Sequence, residues 1–219
     1  MSVSEILATY GDLYVQALLT TWRMTLISFV LAMLIAVVVT VMRVSPIRPL
    51  RMLGDFYVQV FRNIAGIALL IIIVYALPYL GVTLPYDICV IATTVLLGSA
   101  FGSEHFMSGI NTIGVGQIEA ARSIGLTFTQ MLRLIVIPQA LRSAVLPMTN
   151  LFIAIMLTTA IGSQVPLSPM ELTGLVSYIN TRSVGGIATF FISALGYVGT
   201  ALVVGLVGNR IDFFWSTII

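Results

Sequence analysis

The chain contains no lysine, a single cysteine and a single histidine. Only 8% of its 219 residues are charged, where an ordinary soluble domain has about 25%. Each scarcity excludes something. Without lysine there is no G-x-x-x-x-G-K-[ST] phosphate loop, so any ATP chemistry belongs to another chain. One cysteine, Cys89, allows no internal disulfide. One histidine, His105, argues against a protein-only zinc centre and against a Ser-His-Asp triad with further histidines. No metal site and no nucleophile–base constellation is visible, so the chain is read as non-catalytic. The formal net charge is +2 and no basic stripe tracks phosphates, which excludes nucleic acid as a partner. What the chain has in abundance is apolar surface: 59% hydrophobic residues and a mean hydropathy of +1.10. A soluble core of this length cannot hide so much, so lipid is the solvent. A cytosolic globular domain, a disordered chain and a secreted disulfide scaffold are excluded together.

Crossing about 30 Å of hydrocarbon takes about 20 apolar helical residues. Five stretches qualify: Met24 to Met42, Ile64 to Pro85, Ile88 to Ser103 with extension past Glu104 toward Ile110, Ser143 to Pro169, and Ser183 to Asn209. The first is too long for a signal-peptide core and lacks a small-residue cleavage site, so it reads as a retained span. With the N-terminus outside, Arg43, Arg48, Arg51, Arg122, Arg133, Arg142 and Arg210 all fall inside, and only Arg23 and Arg182 fall clearly outside. The positive-inside rule therefore sets the expected topology. Residues 1–22 read as an outer interfacial segment, with Glu5 to Trp22 an amphipathic helix along the membrane surface. The expectation is one all-α transmembrane domain over residues 1–219.

The connection over residues 111–142 is too long and too patterned for a plain loop. Gln117 to Ile124 favours helix, with small residues on one face, and Gly125 is placed to end it. Thr127 can cap a second helix, with Gln130 at the capping-box spacing. That helix is expected to run from Met131 to Ile137 until Pro138 interrupts it. The result is a two-helix elbow with an Ala/Gly knuckle, where another backbone can approach closely and Glu119 and Arg122 can form charged contacts.

Glu119-Ala120-Ala121, three residues, Gly125, nine residues, Ile135, one residue, then Ile137-Pro138 resembles the EAA signature of bacterial ABC importer permeases. The family usually has Leu where this chain has Ile137. The string from Gly116 to Asn150 resembles the polar amino-acid importer branch, and Ser108 to Thr112 looks most like permeases of glutamate importers. The resemblance implies a multi-pass protein of the bacterial cytoplasmic membrane. It implies a separate ATP-binding subunit that carries ATP and Mg, docked on Glu119, Ala120, Ala121, Arg122 and Gly125. It further implies a second permease subunit, identical or related, and an extracytoplasmic amino-acid-binding protein, which the loop Pro166 to Gly186 is long enough to meet. This chain itself would hold no cofactor. It departs from the family pattern in three places. Ile64-Ala65-Gly66 follows Arg62-Asn63 where Thr-Pro is common, His105-Phe106-Met107 follows Glu104 where an Arg is common, and Leu157 stands where a Lys is common.

Polar residues in or near the spans are the candidate substrate contacts. They are Asn63, Glu104, Asn150, Thr158 and Thr159. Each has a plainer alternative: Glu104 as a helix-end acid paired with Arg62, His105 as an interface residue, and Asn150 as a helix-bridging amide. The competing function is an ion-gradient-driven secondary transporter or channel subunit. It calls for intramembrane carboxylates or inverted repeats, and the chain has one candidate acid and no visible repeat.

Overall fold

A computed structural model describes residues 3–182 and 186–217. These form helices joined by short connections, with no strand among the described residues. Helix α1, Val3–Val44, is followed by α2, Arg48–Asn63, and α3, Gly66–Ile71. A π-type turn, Ile72–Ala76, and a 3-10 turn, Leu77–Leu80, prolong α3. Then come α4, Tyr86–Asn111, α5, Val115–Ser123, and α6, Phe128–Met131. A second π-type turn, Leu132–Val136, joins α6 to α7, Ile137–Ser143. Helix α8, Val145–Thr158, ends in a 3-10 turn, Thr159–Gln164, and α9, Leu172–Arg182, and α10, Gly186–Thr217, complete the chain.

Among the described residues, four helical segments are long and apolar enough to span a membrane: Val3–Val44, Tyr86–Asn111, Val145–Gln164 and Gly186–Phe214. The bent pair Arg48–Asn63 and Gly66–Leu80 makes a fifth when its two arms are counted as one crossing. The contacts give the directions. Gly98 and Gly102 of α4 face Ala32 and Ala36 of α1, so those helices run parallel. Gly98 also meets Ile155 and Gly102 meets Leu151, so α8 runs antiparallel to α4. Gly208 of α10 presses on Thr149 of α8. Gly66 lies against Leu97, and α3 packs back toward Cys89 and Val90. The C-terminal ends of α1, α4 and α10 therefore share one end of the bundle with α2, the α5–α6 elbow and the start of α8. We call it the basic end, because eight of the ten arginines lie on these segments or their connections: Arg43, Arg48, Arg51, Arg62, Arg122, Arg133, Arg142 and Arg210.

Lipid offers helices no hydrophobic reason to associate, so close backbone approach must hold them together. Ala32, Ala36, Gly98 and Gly102 supply it. Buried threonines place their hydroxyl protons within their own helices: Thr21, Thr25, Thr93 and Thr94 each donate to the carbonyl four residues back, at 2.7–2.9 Å.

Four expectations need correction. Glu5 to Trp22 is helical but is not a separate helix along the interface. It continues unbroken into the span, and an unbroken helix cannot turn from the membrane plane into the hydrocarbon. Its Ile6, Tyr14 and Ala17 pack instead on Leu172, Leu175 and Ile179 of α9. The second crossing is not one helix over Ile64 to Pro85. Ile64 and Ala65 are extended, the chain bends by 101°, and the apolar arm ends at Leu80. Gly81, at φ 81°, closes that arm: its N–H donates to the Pro78 carbonyl and that of Val82 to Leu77. Pro138 does not stop the elbow's second helix. The wide turn over Leu132–Val136 shifts the carbonyls that the proline ring would strike, and the helix continues to Ser143. Pro78 follows the other π-type turn at the same offset. The fourth span ends at Gln164, short of Pro169, as Val165 turns extended. The expected start of span 5 at Ser183 lies outside the described residues.

The segment after span 4 forms α9, whose start is built around Glu171. This acid is fully buried. Its carboxylate accepts from the N–H groups of Thr173 at 2.6 Å and Gly174 at 2.5 Å, and from Tyr197 Oη on α10 at 3.1 Å. Thr21 Oγ1 on α1 accepts from the Leu172 N–H. The cap thus ties α9 to both long helices. Burial raises the Glu171 carboxyl above its ordinary value of 4.5, against the pull of those hydrogen bonds.

The native state therefore keeps a proton where the unfolded chain has lost it, and stability falls as pH climbs from 4.5 through the raised value. Thermal unfolding in detergent across that window should show this slope, and Glu171→Gln should flatten it. An unchanged slope in the variant would show that another group is responsible. At the α1–α4 seam a Cβ on Gly102 would stand 2.9 Å from Ala36 Cβ and 2.8 Å from Met33 Cε. Gly102→Val should cost about 1–3 kcal/mol by overpacking, seen as a lowered melting temperature. A melting temperature equal to wild type would sink the seam's role.

Candidate functional site

Between α4 and α8 lies a half-open cleft of about 280 Å³, close to the lower bound of small-molecule sites, about 300 Å³. Its α4 wall is Thr94, Leu97, Gly98, Phe101 and His105, and its α8 wall is Asn150, Leu151, Ala154, Ile155 and Thr158. Helical spacing explains the composition. Asn150, Ala154 and Thr158 recur every four residues and so share one face, as do Thr94 and Gly98. The Thr94 and Thr158 hydroxyls donate to carbonyls of their own helices. Their oxygens remain acceptors toward the cleft. The Asn150 amide and the His105 ring make no hydrogen bond among the described residues. The cleft thus presents neutral donors and acceptors on an apolar floor, and no arginine lines it.

The elbow stands at the basic end. Helix α5 ends in a Schellman motif: the Leu126 N–H donates to the Ala121 carbonyl and the Gly125 N–H to Arg122. Gly125 holds φ at 80°, a conformation that side chains with a Cβ resist. Thr127 then caps α6 with the full capping box expected from Gln130. The knuckle has its own small core of Ile113, Ala121, Met131 and Val136. Ala121 is buried there, while Glu119, Ala120 and Arg122 are exposed. Gln139 Nε2 donates to Gln117 Oε1 at 2.9 Å, which ties the second helix back to the first.

A charged cluster sits where α1, α2 and α4 meet. Arg43 pairs with Asp55 at 2.9 Å and Glu104 at 3.0 Å, and its Nη1 donates to Ser103 Oγ at 3.2 Å. Arg62 meets the other Glu104 oxygen at 3.5 Å. Gly54 makes this possible: a Cβ there would stand 2.8 Å from Arg43 Cγ, so only glycine lets α2 cross so close.

Residues 28–213 match the family described as the binding-protein-dependent transport system inner membrane component. The chain belongs to this family. A curated relative, the glutamate transport system permease protein GluC of Corynebacterium efficiens, is 32% identical over 93% of this chain and 94% of its own length. The L-cystine transport system permease protein TcyB of Bacillus subtilis is 33% identical over 80% of this chain and 74% of its own. Among solved structures, an amino acid ABC transporter crystallised with histidines matches with a TM-score of 0.90 at 24% identity, over 97% of this chain and 98% of that one. An inward-facing MetNI methionine ABC transporter matches with a TM-score of 0.78 at 22% identity, covering 93% and 96%. Both structural likenesses speak to the fold.

In this membrane transport component, the candidate pathway residues do not form one group. Asn150 and Thr158 line the cleft. Thr159 is fully buried beside it, its hydroxyl donating to the Met156 carbonyl at 2.6 Å. Glu104 belongs to the ion cluster, paired with Arg62 and also with Arg43. Asn63 is exposed at the α2–α3 bend, its amide donating to the Gln59 carbonyl at 2.6 Å. Thr94, Gly98 and Phe101 complete the cleft and went unnoticed in the sequence. The four-residue spacing of Thr94 and Gly98 was their only signal. His105 faces the cleft, where sequence reasoning favoured the interface.

The cluster leans on Arg43, whose side chain is 13% exposed, more than on Arg62 at 39%. Arg43→Gln should cost about 1–3 kcal/mol of stability, as two acids lose their shared donor, and Arg62→Gln about 1 kcal/mol at most. Thermal unfolding of the two variants tests the ordering. Equal losses would mean that the cluster is not centred on Arg43.

Proposed function

We propose that this chain is the membrane subunit of an ATP-driven importer for a polar amino acid, with glutamate the first substrate to test. The observation that carries the reading is the exposed α5–α6 elbow, rigid at its knuckle and presented at the basic end of a chain that has no phosphate loop of its own. A separate ATPase binds ATP and Mg and docks on Glu119, Ala120, Ala121, Arg122 and Gly125. The N-terminus faces outward, which puts the elbow and the basic end, with its eight arginines, on the cytoplasmic side. A second permease subunit closes the open side of the α4–α8 cleft. An extracytoplasmic binding protein delivers the amino acid at the opposite end, near α9.

Alternating access follows from these parts. Closure of the ATPase dimer pushes the elbow, and the elbow moves α8 relative to α4, because α7 and α8 meet at a single turn residue, Ala144. The cleft then changes shape around the substrate. Asn150 and His105 are the groups free to bond a polar solute there, with Thr94 and Thr158 as acceptors. The similarity to glutamate and cystine permeases supports an amino acid as cargo.

In proteoliposomes with the ATPase partner, Gly125→Val and Glu119→Trp should lower uptake at least tenfold while ATP hydrolysis and membrane insertion persist. At Gly125 the cost is backbone strain alone, since a Cβ there meets open space. Normal uptake in both variants would sink the coupling assignment.

A further inference from the structure

The first arm of the bent pair, α2, has a side that no described residue covers. At about 100° per residue, its residues sort into three arcs. Gly54 and Val58 are buried against α1 and α4, with Tyr57 and Phe61 half-buried beside them. Tyr57 Oη shares a 2.7 Å hydrogen bond with Ser99 Oγ on α4. Next to this arc lie Leu53, Phe56 and Val60, exposed by 56%, 67% and 39%. On the far side run Arg48, Arg51, Asp55, Gln59 and Arg62. Asp55 and Arg62 are held in the ion cluster, whereas Arg48 and Arg51 are exposed and pair with no acid among the described residues. The arm lies at 101° to the arm that enters the bilayer. A helix across the span direction lies near the membrane plane, and one apolar side plus one arginine edge is the pattern of an interfacial helix.

We propose that α2 is a membrane-surface helix that binds anionic phospholipid, with Leu53, Phe56 and Val60 among the acyl chains and Arg48 and Arg51 on the headgroup phosphates. Charge favours lipid over a second copy of this chain. A second copy seated on the apolar side would leave the arginine edge unpaired, whereas anionic headgroups neutralise it. The ion cluster then has a further consequence. It fixes the lipid-bound helix to α1 and α4, so the bilayer surface itself holds the near end of the α4 wall.

The test uses the full-length chain with Cys89→Ala, in vesicles containing phosphatidylglycerol, with a nitroxide on Phe56→Cys and separately on Gln59→Cys. The Phe56→Cys label should collide with oxygen in preference to a nickel chelate, at a depth about 5–10 Å below the phosphates, and the Gln59→Cys label should show the reverse preference. Adding Arg48→Gln and Arg51→Gln should move the Phe56→Cys label several-fold toward nickel access, and pure phosphatidylcholine vesicles should do the same to the unsubstituted arginine pair. A label at 56 shielded from both probes would mean that protein, such as a second copy, covers this side. A label at 56 open to nickel would mean that water does. Either result overturns the proposal. A depth insensitive to both the arginines and the headgroup overturns its anionic part.

Discussion

Helices dissolved in lipid gain nothing by hiding apolar side chains from solvent, so the distance between backbones decides which of them stay together. In this chain the decisive distance is that between α1 and α4, where glycine and alanine alternate across the contact. Everything else is hung on that pair. The cleft uses the other side of α4, with α8 as its second wall, and α2 crosses the end of the pair through Gly54. The elbow leaves from the C-terminal end of α4 and returns into α8. A larger residue in the seam would therefore disturb the cleft and the elbow together.

The same logic explains the unequal use of polar groups. Threonines inside the bundle bond first to their own helices, and Thr21 and Thr40 add one bond each to a neighbour. Charges are confined to the ends, where Arg43 and Glu171 each gather several partners from different helices. Arg43 joins three elements at the basic end and the Glu171 cap joins three at the other. The two clusters clamp opposite ends of a middle that is held by packing alone, and the middle is where the cleft lies.

Much of this was legible in the residues. Apolar runs placed five crossings, because hydrocarbon thickness leaves little freedom in length. The knuckle of the elbow was readable to the residue, since Gly125 and the Thr127–Gln130 pair act locally. Features that depend on distant contacts were not. Nothing in Asn63-Ile64-Ala65 signals a sharp bend; the bend arises because the preceding arm is too polar on one side to enter lipid. The unbroken first helix was hidden because Ile6, Tyr14 and Ala17 find their cover on α9, far along the chain. Pro138 looked like a stop because a wide turn that accommodates proline has no sequence mark of its own. Asn150 and Thr158 could be picked out as polar, but their partners Thr94 and Gly98 could not, because two helices about 50 positions apart must first be laid side by side.

The wide turn over Leu132–Val136 also bears on how the chain can change length. A π turn holds one residue more than an α turn. Deleting one residue there would restore α spacing and set the Pro138 ring against a carbonyl of the preceding turn, at a cost of about 3 kcal/mol or more. The turn and the proline are therefore coupled: a chain without Pro138 can drop the extra residue, and a chain that keeps Pro138 cannot. Because the wide turn takes up its extra residue within one turn, the helix beyond it stays in register either way, and the knuckle keeps its aim.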